Sequence, residues 1–252
     1  MTDIEEHELE EPAGKVRLFV NAHLAAGAQL EVSPAQSHYL LHVMRTQAGG
    51  RVRLFNGKDG EWLSQVIRVS RRSCRLACID QTAPQSDTPD LWLVFAPIKK
   101  TPADYLSQKA TELGVRVLQP VFTRRAIVHR VNIDRMRANA VEAAEQSGRL
   151  TVPEIRQPLE LAKLLSRWPN DRKLLFCDEA GAPPIAQMLL DPPKGAWAVL
   201  TGPEGGFDPE ERELVRACQS AISVSLGRRI LRADTAALAA LSVWQALCGD
   251  WR

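Results

Sequence analysis

Between Val16 and Asp80, apolar and polar residues alternate in short bursts: "VRLFV", "RVRLFNG", "EWLSQVIRVS" and "SCRLACID". Turn signals such as "NGKDG" separate them, so the pattern predicts short half-buried strands. One segment of helical period interrupts the series, "SPAQSHYLLHVMR". Ser33 is placed there to cap the helix and Pro34 to occupy its first position. Several strands and one helix in so short a span predict a small β-barrel. A polar, proline-bearing stretch, "PQSDTPD" at 84–90, then marks a boundary.

Beyond it the rhythm becomes strand–helix alternation. "LWLVFAPI" leads into a helix at 102–113 closed by Gly114, and "VRVLQPVF" into a helix at 133–147. A helix at 159–167 precedes "KLLFCDE" and a short helix near Pro184–Leu190. "AWAVLTG", a helix at 208–219, "ISVSLG" and a last helix from about Thr235 complete the chain. Apolar runs without alternation, spaced by helices, predict a parallel sheet covered on both faces. The fold class expected is therefore α/β, with an acidic tail at 1–14, a barrel at 15–84 and a larger α/β domain at 85–252.

Charge refines this picture. Residues 1–12 hold six acids and no Lys or Arg, the composition of a disordered tail. The remainder carries 32 basic against 24 acidic residues, and 15–84 alone holds ten basic against four acidic. A basic small domain suggests a polyanion partner, and a solvated basic face is the plainer alternative. The longest apolar stretch, Ala233 to Leu247, is broken by Asp234, Thr235, Ser242 and Gln245, so no membrane span is expected. No export signal is visible, and the five cysteines lack C-x-x-C or zinc spacing, which predicts reduced thiols in the cytoplasm. His38 and His42 lie one helical turn apart without the glutamate of HExxH, so no metal site is expected.

Ligands of parallel sheets bind where loops leave the C-terminal ends of strands. Three such loops stand out: "CDEAGAPP", "TGPEGGF" and "LGRRILRADTA". Neither a Walker A loop nor G-x-G-x-x-G is present. In "TGPEGGFDPEE", Pro203 removes an amide donor, and the stretch carries four negative charges and no basic group. It suits close backbone approach by a neutral or cationic ligand. A tight turn before a helix capped by Asp208 explains the same residues, and the residues alone leave both readings open.

Taken together, "TGPEGGF", "SLGRRILRADTAAL", "QKATELGV" at 108–115, "EAAEQSGRLTVPEI" at 142–155, "RLFV" and "HYLLHVMR" resemble the RsmE family. These are bacterial methyltransferases of the SPOUT class that act on N3 of a uridine in 16S ribosomal RNA. The likeness runs in order from about Arg17 to the C-terminus. The chain departs from the family's pattern at Arg228, where proline is usual, at Ala233, where threonine is usual, and at Asp234, where glutamate is usual. The resemblance implies a PUA-like barrel followed by a SPOUT-type parallel sheet tied in a trefoil knot, a homodimer, and S-adenosylmethionine as cofactor. Carried onto this sequence, it implies cofactor contacts from Thr201, Gly202, Pro203, Glu204, Gly205, Gly206, Leu226, Gly227, Ile230, Leu231 and Ala236.

Methylation at N3 requires an unpaired or flipped base and loss of its proton, which a nearby cation would favour. Arg232 is the first candidate for that cation and Arg149 the second; each is equally compatible with a phosphate contact or a surface ion pair. Arg17, Arg45, Lys58, Lys99 and Lys100 are candidates for tracking RNA phosphates. The expected partner is small-subunit ribosomal RNA, naked or in the assembled subunit. A SPOUT enzyme acting on another RNA position and a non-catalytic RNA-binding protein are the alternatives.

Overall fold

The computed structural model describes residues 16–70, 73–178 and 181–251, with Lys100 and Thr101 described only in their backbone; the acidic tail lies outside the described residues. The chain divides into two compact units, with the break between Ser86 and Asp87.

The first unit contains five strands, β1 (Arg17–Phe19), β2 (Gln29–Glu31), β3 (Arg51–Phe55), β4 (Glu61–Val69) and β5 (Cys74–Ala83), in the order β1-β3-β4-β5-β2. β1 runs parallel to β3 and the remaining pairs are antiparallel. β2, three residues long, has too short a pattern to be read from the sequence. Alternate positions of the strands, among them Leu18, Val52, Leu54, Val66, Leu76 and Cys78, close on one apolar core. The "NGKDG" turn is held by its own side chains. Asn56 Oδ1 accepts from the Lys58 and Asp59 amides, and the Asp59 carboxylate accepts from Leu24 N–H at 2.8 Å and from Asn56 Nδ2.

The helix predicted over 33–45 is present in part. α1 (Pro34–His38) starts with a capping box between Ser33 and Gln36, as the sequence indicates. It then widens into a π-helical turn over Tyr39–Val43, closed by Met44 N–H on Tyr39 O at 2.9 Å.

The second unit is an α/β layer. Its strands are β6 (Leu91–Phe95), β7 (Val117–Phe122), β8 (Glu154–Ile155), β9 (Leu159–Glu160), β10 (Arg172–Cys177), β11 (Ala196–Thr201) and β12 (Ala221–Val224). The order is β12-β10-β11-β6-β7-β8, with β9 also on β7, and every pair is parallel. The helices are α2 (Lys100–Glu112), α3 (Ile133–Ser147), α4 (Leu161–Leu165), α5 (Ile185–Met188), α6 (Pro209–Arg216) and α7 (Ala233–Leu247). The helix expected at 159–167 begins later because Leu159 and Glu160 pair with Val121 and Phe122 first.

All five residues of β6 are buried, because its side chains enter two cores, one per sheet face. Leu91, Leu93 and Phe95 join Trp197, Val199, Leu241 and Trp244 on the side of α2, α3 and α7. Trp92 and Val94 join Leu174, Phe176, Leu200 and Phe207 on the other. At about 25 cal/mol per Å² of apolar surface, such two-sided burial is the main stabilising contribution of the sheet. No helix among the described residues is long and apolar enough to cross a membrane.

Candidate functional site

β11 lies between β6 and β10, and the loops leaving β10, β11 and β12 meet at the C-terminal edge of the sheet. They enclose a cleft of about 350 Å³, within the range of small-molecule sites. All eleven residues from Thr201 to Gly206 and from Leu226 to Ala236 that the sequence singled out for a cofactor line it.

The backbone of the β11 loop is tightly constrained. A Cβ added at Gly202 would lie 2.7 Å from the Phe207 ring. That ring is buried and meets Phe176 edge-on, with centroids 5.1 Å apart. Gly206 has φ 67° and closes a turn through its N–H on Pro203 O at 2.9 Å. On the facing wall Gly227 has φ 106°, again a conformation reserved for glycine. A Cβ at Gly205, by contrast, would meet Arg125 Cβ at 3.5 Å, an ordinary contact.

The acidity of the loop has a structural cause. Asp208 accepts from Glu210 N–H, and Glu211 accepts from Asp208 N–H, forming the capping box of α6. Arg124 Nη1 pairs with Asp208 at 3.0 Å and with Glu210 at 2.6 Å, while its backbone N–H donates to Glu211. Three of the four carboxylates are thus committed to one helix terminus, and Glu204 is the one left to line the cleft.

The floor carries groups that the sequence reading did not single out. Asp178, the residue after β10, has a fully buried carboxylate 2.7 Å from Arg216 Nη2 and 3.6 Å from Arg212 Nε. Beside it Cys177 is a neutral thiol, because burial pushes its pKa up to about 12. Arg125, Arg212, Arg228 and Arg229 also border the cleft. A carboxylate ending an apolar strand was the available signal for Asp178, and nothing in the sequence marks which arginines converge there.

The remaining candidates separate clearly. Arg232 forms the N-cap of α7 without a side-chain capping bond; it is exposed, and its neighbours Leu231 and Ala233 line the cleft. Arg149 stands outside the cleft lining. Its guanidinium donates to Thr111 O at 2.8 Å, Thr151 Oγ1 at 3.0 Å and Thr88 Oγ1 at 3.4 Å. Burial lowers its pKa to about 10, which still leaves it charged at neutral pH. Arg17 is no free phosphate contact: its Nε donates to Glu61 at 2.6 Å, and its guanidinium stacks 4.5 Å from the Phe55 ring centre. Arg45, Lys58 and Lys99 are exposed, and the Lys100 side chain lies outside the described residues.

The comparisons agree with this geometry. Residues 85–245 match an RNA methyltransferase domain and residues 32–77 an RNA methyltransferase PUA domain. The ribosomal RNA small subunit methyltransferase E of Rickettsia conorii is 32% identical, over 90% of this chain and 93% of its own. Its counterpart in Synechocystis is 31% identical, over 92% of this chain and 77% of its own. A Legionella pneumophila methyltransferase solved with bound S-adenosylmethionine is 30% identical, with a TM-score of 0.85 over 93% of this chain and 98% of that one. The Neisseria gonorrhoeae ribosomal RNA small subunit methyltransferase E, bound to S-adenosylmethionine, is 26% identical, with a TM-score of 0.86 over 94% of this chain and 99% of that one. A PUA domain followed by a methyltransferase domain, with such coverage by the Rickettsia relative, places the chain in the ribosomal RNA small subunit methyltransferase E family.

Proposed function

We propose that this protein methylates N3 of a uridine in 16S ribosomal RNA, using S-adenosylmethionine held in the cleft between the 201–206 and 226–236 segments. The observation that carries the reading is the convergence of those two segments, distant in sequence, on one small-molecule cleft. The residues fit the cofactor: three glycines whose backbone must stay bare, apolar Leu226, Ile230, Leu231 and Ala236, and polar Thr201 and Glu204. Bound there, the cofactor supplies an electrophilic methyl group beside a positive sulfonium.

The chain's own part is positioning and charge. Leu226, Leu231 and Ala236 exclude water from one side, and the loop backbone fixes the ligand's orientation, which is where most of the acceleration of such a transfer arises. Arg232, free of side-chain partners among the described residues, is assigned to stabilise the uracil anion left when the N3 proton departs to solvent. Arg149 has instead a bracing role between Thr111 and Thr151.

The finer architecture follows the same reading: a PUA-like RNA-binding domain at 15–84 and a SPOUT domain at 85–252, working in the cytoplasm. A trefoil knot at the C-terminal end is supported by the path of β12, which crosses to the far side of β10 before α7 returns to pack on β11 and α2. A homodimer is supported by Ile230, a large aliphatic residue 88% exposed on the rim of the cleft.

The test joins calorimetry with S-adenosylmethionine to mass-spectrometric mapping of methylated nucleotides, offering small-subunit particles and naked ribosomal RNA in parallel. Methylation of any position other than N3 of a uridine defeats the assignment. Arg232→Ala is expected to lower kcat by roughly 10²–10³ with cofactor affinity unchanged; a change in cofactor affinity instead would assign Arg232 to binding.

A further inference from the structure

Among the described residues that line the cleft, Arg212 alone carries a buried polar side-chain atom without a hydrogen-bond partner, its Nε. Buried donors in native proteins are nearly always satisfied, so an orphan at a cleft calls for a ligand or a structural reason. Arg212 and Arg216 stand one helical turn apart on α6 and both turn to Asp178. That acid is anchored where β10 meets β12: its N–H donates to Val224 O at 2.9 Å, and its carboxylate has no exposed surface.

The two arginines share Asp178 unequally. Arg216 donates to Oδ2 from Nε at 3.1 Å and from Nη2 at 2.7 Å, and its Nη1 reaches Glu213 at 2.8 Å. Arg212 Nε stands 3.6 Å from Oδ1, an attraction between charges too long for a hydrogen bond. Arg216 therefore braces α6 against β10, and Arg212 adds charge to that brace without a bond. Its terminal nitrogens make no hydrogen bond to a described residue. With 26% of its side-chain surface exposed, Arg212 lines the cleft together with Gly205, Gly206 and Phe207. Arg125, Arg228 and Arg229 also border the cleft but are exposed, so a long polyanion meets them first.

A guanidinium held in one direction by a buried acid presents a fork that matches a carboxylate. S-adenosylmethionine has a single anionic group at neutral pH, the α-carboxylate of its methionine half. We infer that Arg212 receives this carboxylate and that Asp178 is the positioning residue that aims it. The inference rests on the reading that S-adenosylmethionine occupies the cleft. It adds selection for the amino-acid half of the ligand, which bare glycine backbone and apolar walls do not provide.

The experiment is titration calorimetry of the full chain with S-adenosylmethionine, S-adenosylhomocysteine and 5′-methylthioadenosine, with melting temperature recorded for every variant. The third ligand keeps the adenosine and the sulfur and lacks the amino-acid half. Arg212→Met is expected to bind the first two roughly 10–100-fold more weakly and the third as the parent does. Arg212→Lys, which keeps the charge and loses the fork, should recover part of that loss, and it carries the comparison if Arg212→Met does not fold. Asp178→Asn should show the same selective loss to a smaller degree, whereas a merely structural role would weaken all three ligands alike. The inference is overturned if the Arg212 variants weaken the three ligands by one factor or weaken none. It is overturned too if Arg125→Met, Arg228→Met or Arg229→Met shows the selective loss in place of Arg212→Met. A parent that binds none of the three strikes the cofactor reading and this assignment together, while equal losses in the variants strike this assignment alone.

Discussion

Gly202→Ala puts the packing of the cleft to a direct test. The new methyl group would sit 2.7 Å from Phe207 Cε2, 3.0 Å from Cδ2 and 3.3 Å from Cζ, so it would press on one whole edge of the ring. Carbon atoms rest at about 3.5–4.0 Å, so the ring or the loop must move by nearly 1 Å. Phe207 is 4% exposed and rests against Phe176, itself fully buried, which leaves the ring little room to yield. Overpacking of this kind costs about 1–3 kcal/mol. For a unit of this size, each kcal/mol lowers the melting temperature by about 2–4 °C, so a drop of roughly 2–12 °C is expected. Because the loop is the nearer yielding element, S-adenosylmethionine affinity should fall as well. Gly205→Ala is the control: its Cβ makes only an ordinary 3.5 Å contact, so the melting temperature should hold while a ligand needing close backbone approach binds more weakly. Differential scanning calorimetry and titration calorimetry read the two effects separately. A Gly202→Ala protein that melts and binds like the parent would show that the loop is not held against Phe207 and refute the reasoning.

Two further outcomes concern titratable groups. The backbone N–H of Leu24 and the Asn56 amide hold the Asp59 carboxyl below the usual aspartate range. A depressed folded pKa contributes stability above the unfolded value of about 3.9 that is lost as pH falls through the folded value. Urea unfolding of the parent should therefore lose stability on acidification from pH 5 to pH 2 more steeply than Asp59→Asn, and parallel curves would reject the linkage. Cys177, neutral because burial raises its pKa to about 12, should resist iodoacetamide at pH 8 in the folded protein and react once unfolded; mass spectrometry of the alkylated peptides checks this.

The two walls of the cleft were legible because each is written in residues with a strict backbone requirement. "GPEGG" and "LGRR" advertise turns that few side chains allow, and the apolar strands around them fix which end of the sheet they occupy. Long-range pairings were not legible. Asp178 reads as an ordinary loop acid until α6 brings Arg212 and Arg216 to it. Arg17 reads as a surface cation because Glu61, 44 residues away, is not visible as its partner. Arg149 reads as an available cation because Thr111 and Thr151, which accept from its guanidinium, are not visible as its partners. The π-helical turn was missed because the spacing of "HYLLHV" differs too little from an α-helix to be told apart by period. The acids of "FDPEE" show how composition misleads: their charge answers Arg124 and the exposed amides of a helix start rather than a ligand.

Gln245, buried on α7, donates to Leu113 O at 2.6 Å and accepts from Asp250 N–H at 3.1 Å. The same helix begins at Ala233 on the cleft wall, so one end borders the ligand while the other is moored to the C-terminal end of α2. A rigid swing of α7 would break a buried hydrogen bond and strand a carbonyl without water. The wall is therefore a fixed post: the start of α7 holds its place at the cleft because its far end is tied to a different helix, so a substitution at Gln245, remote from the cleft, reaches the ligand through the helix axis.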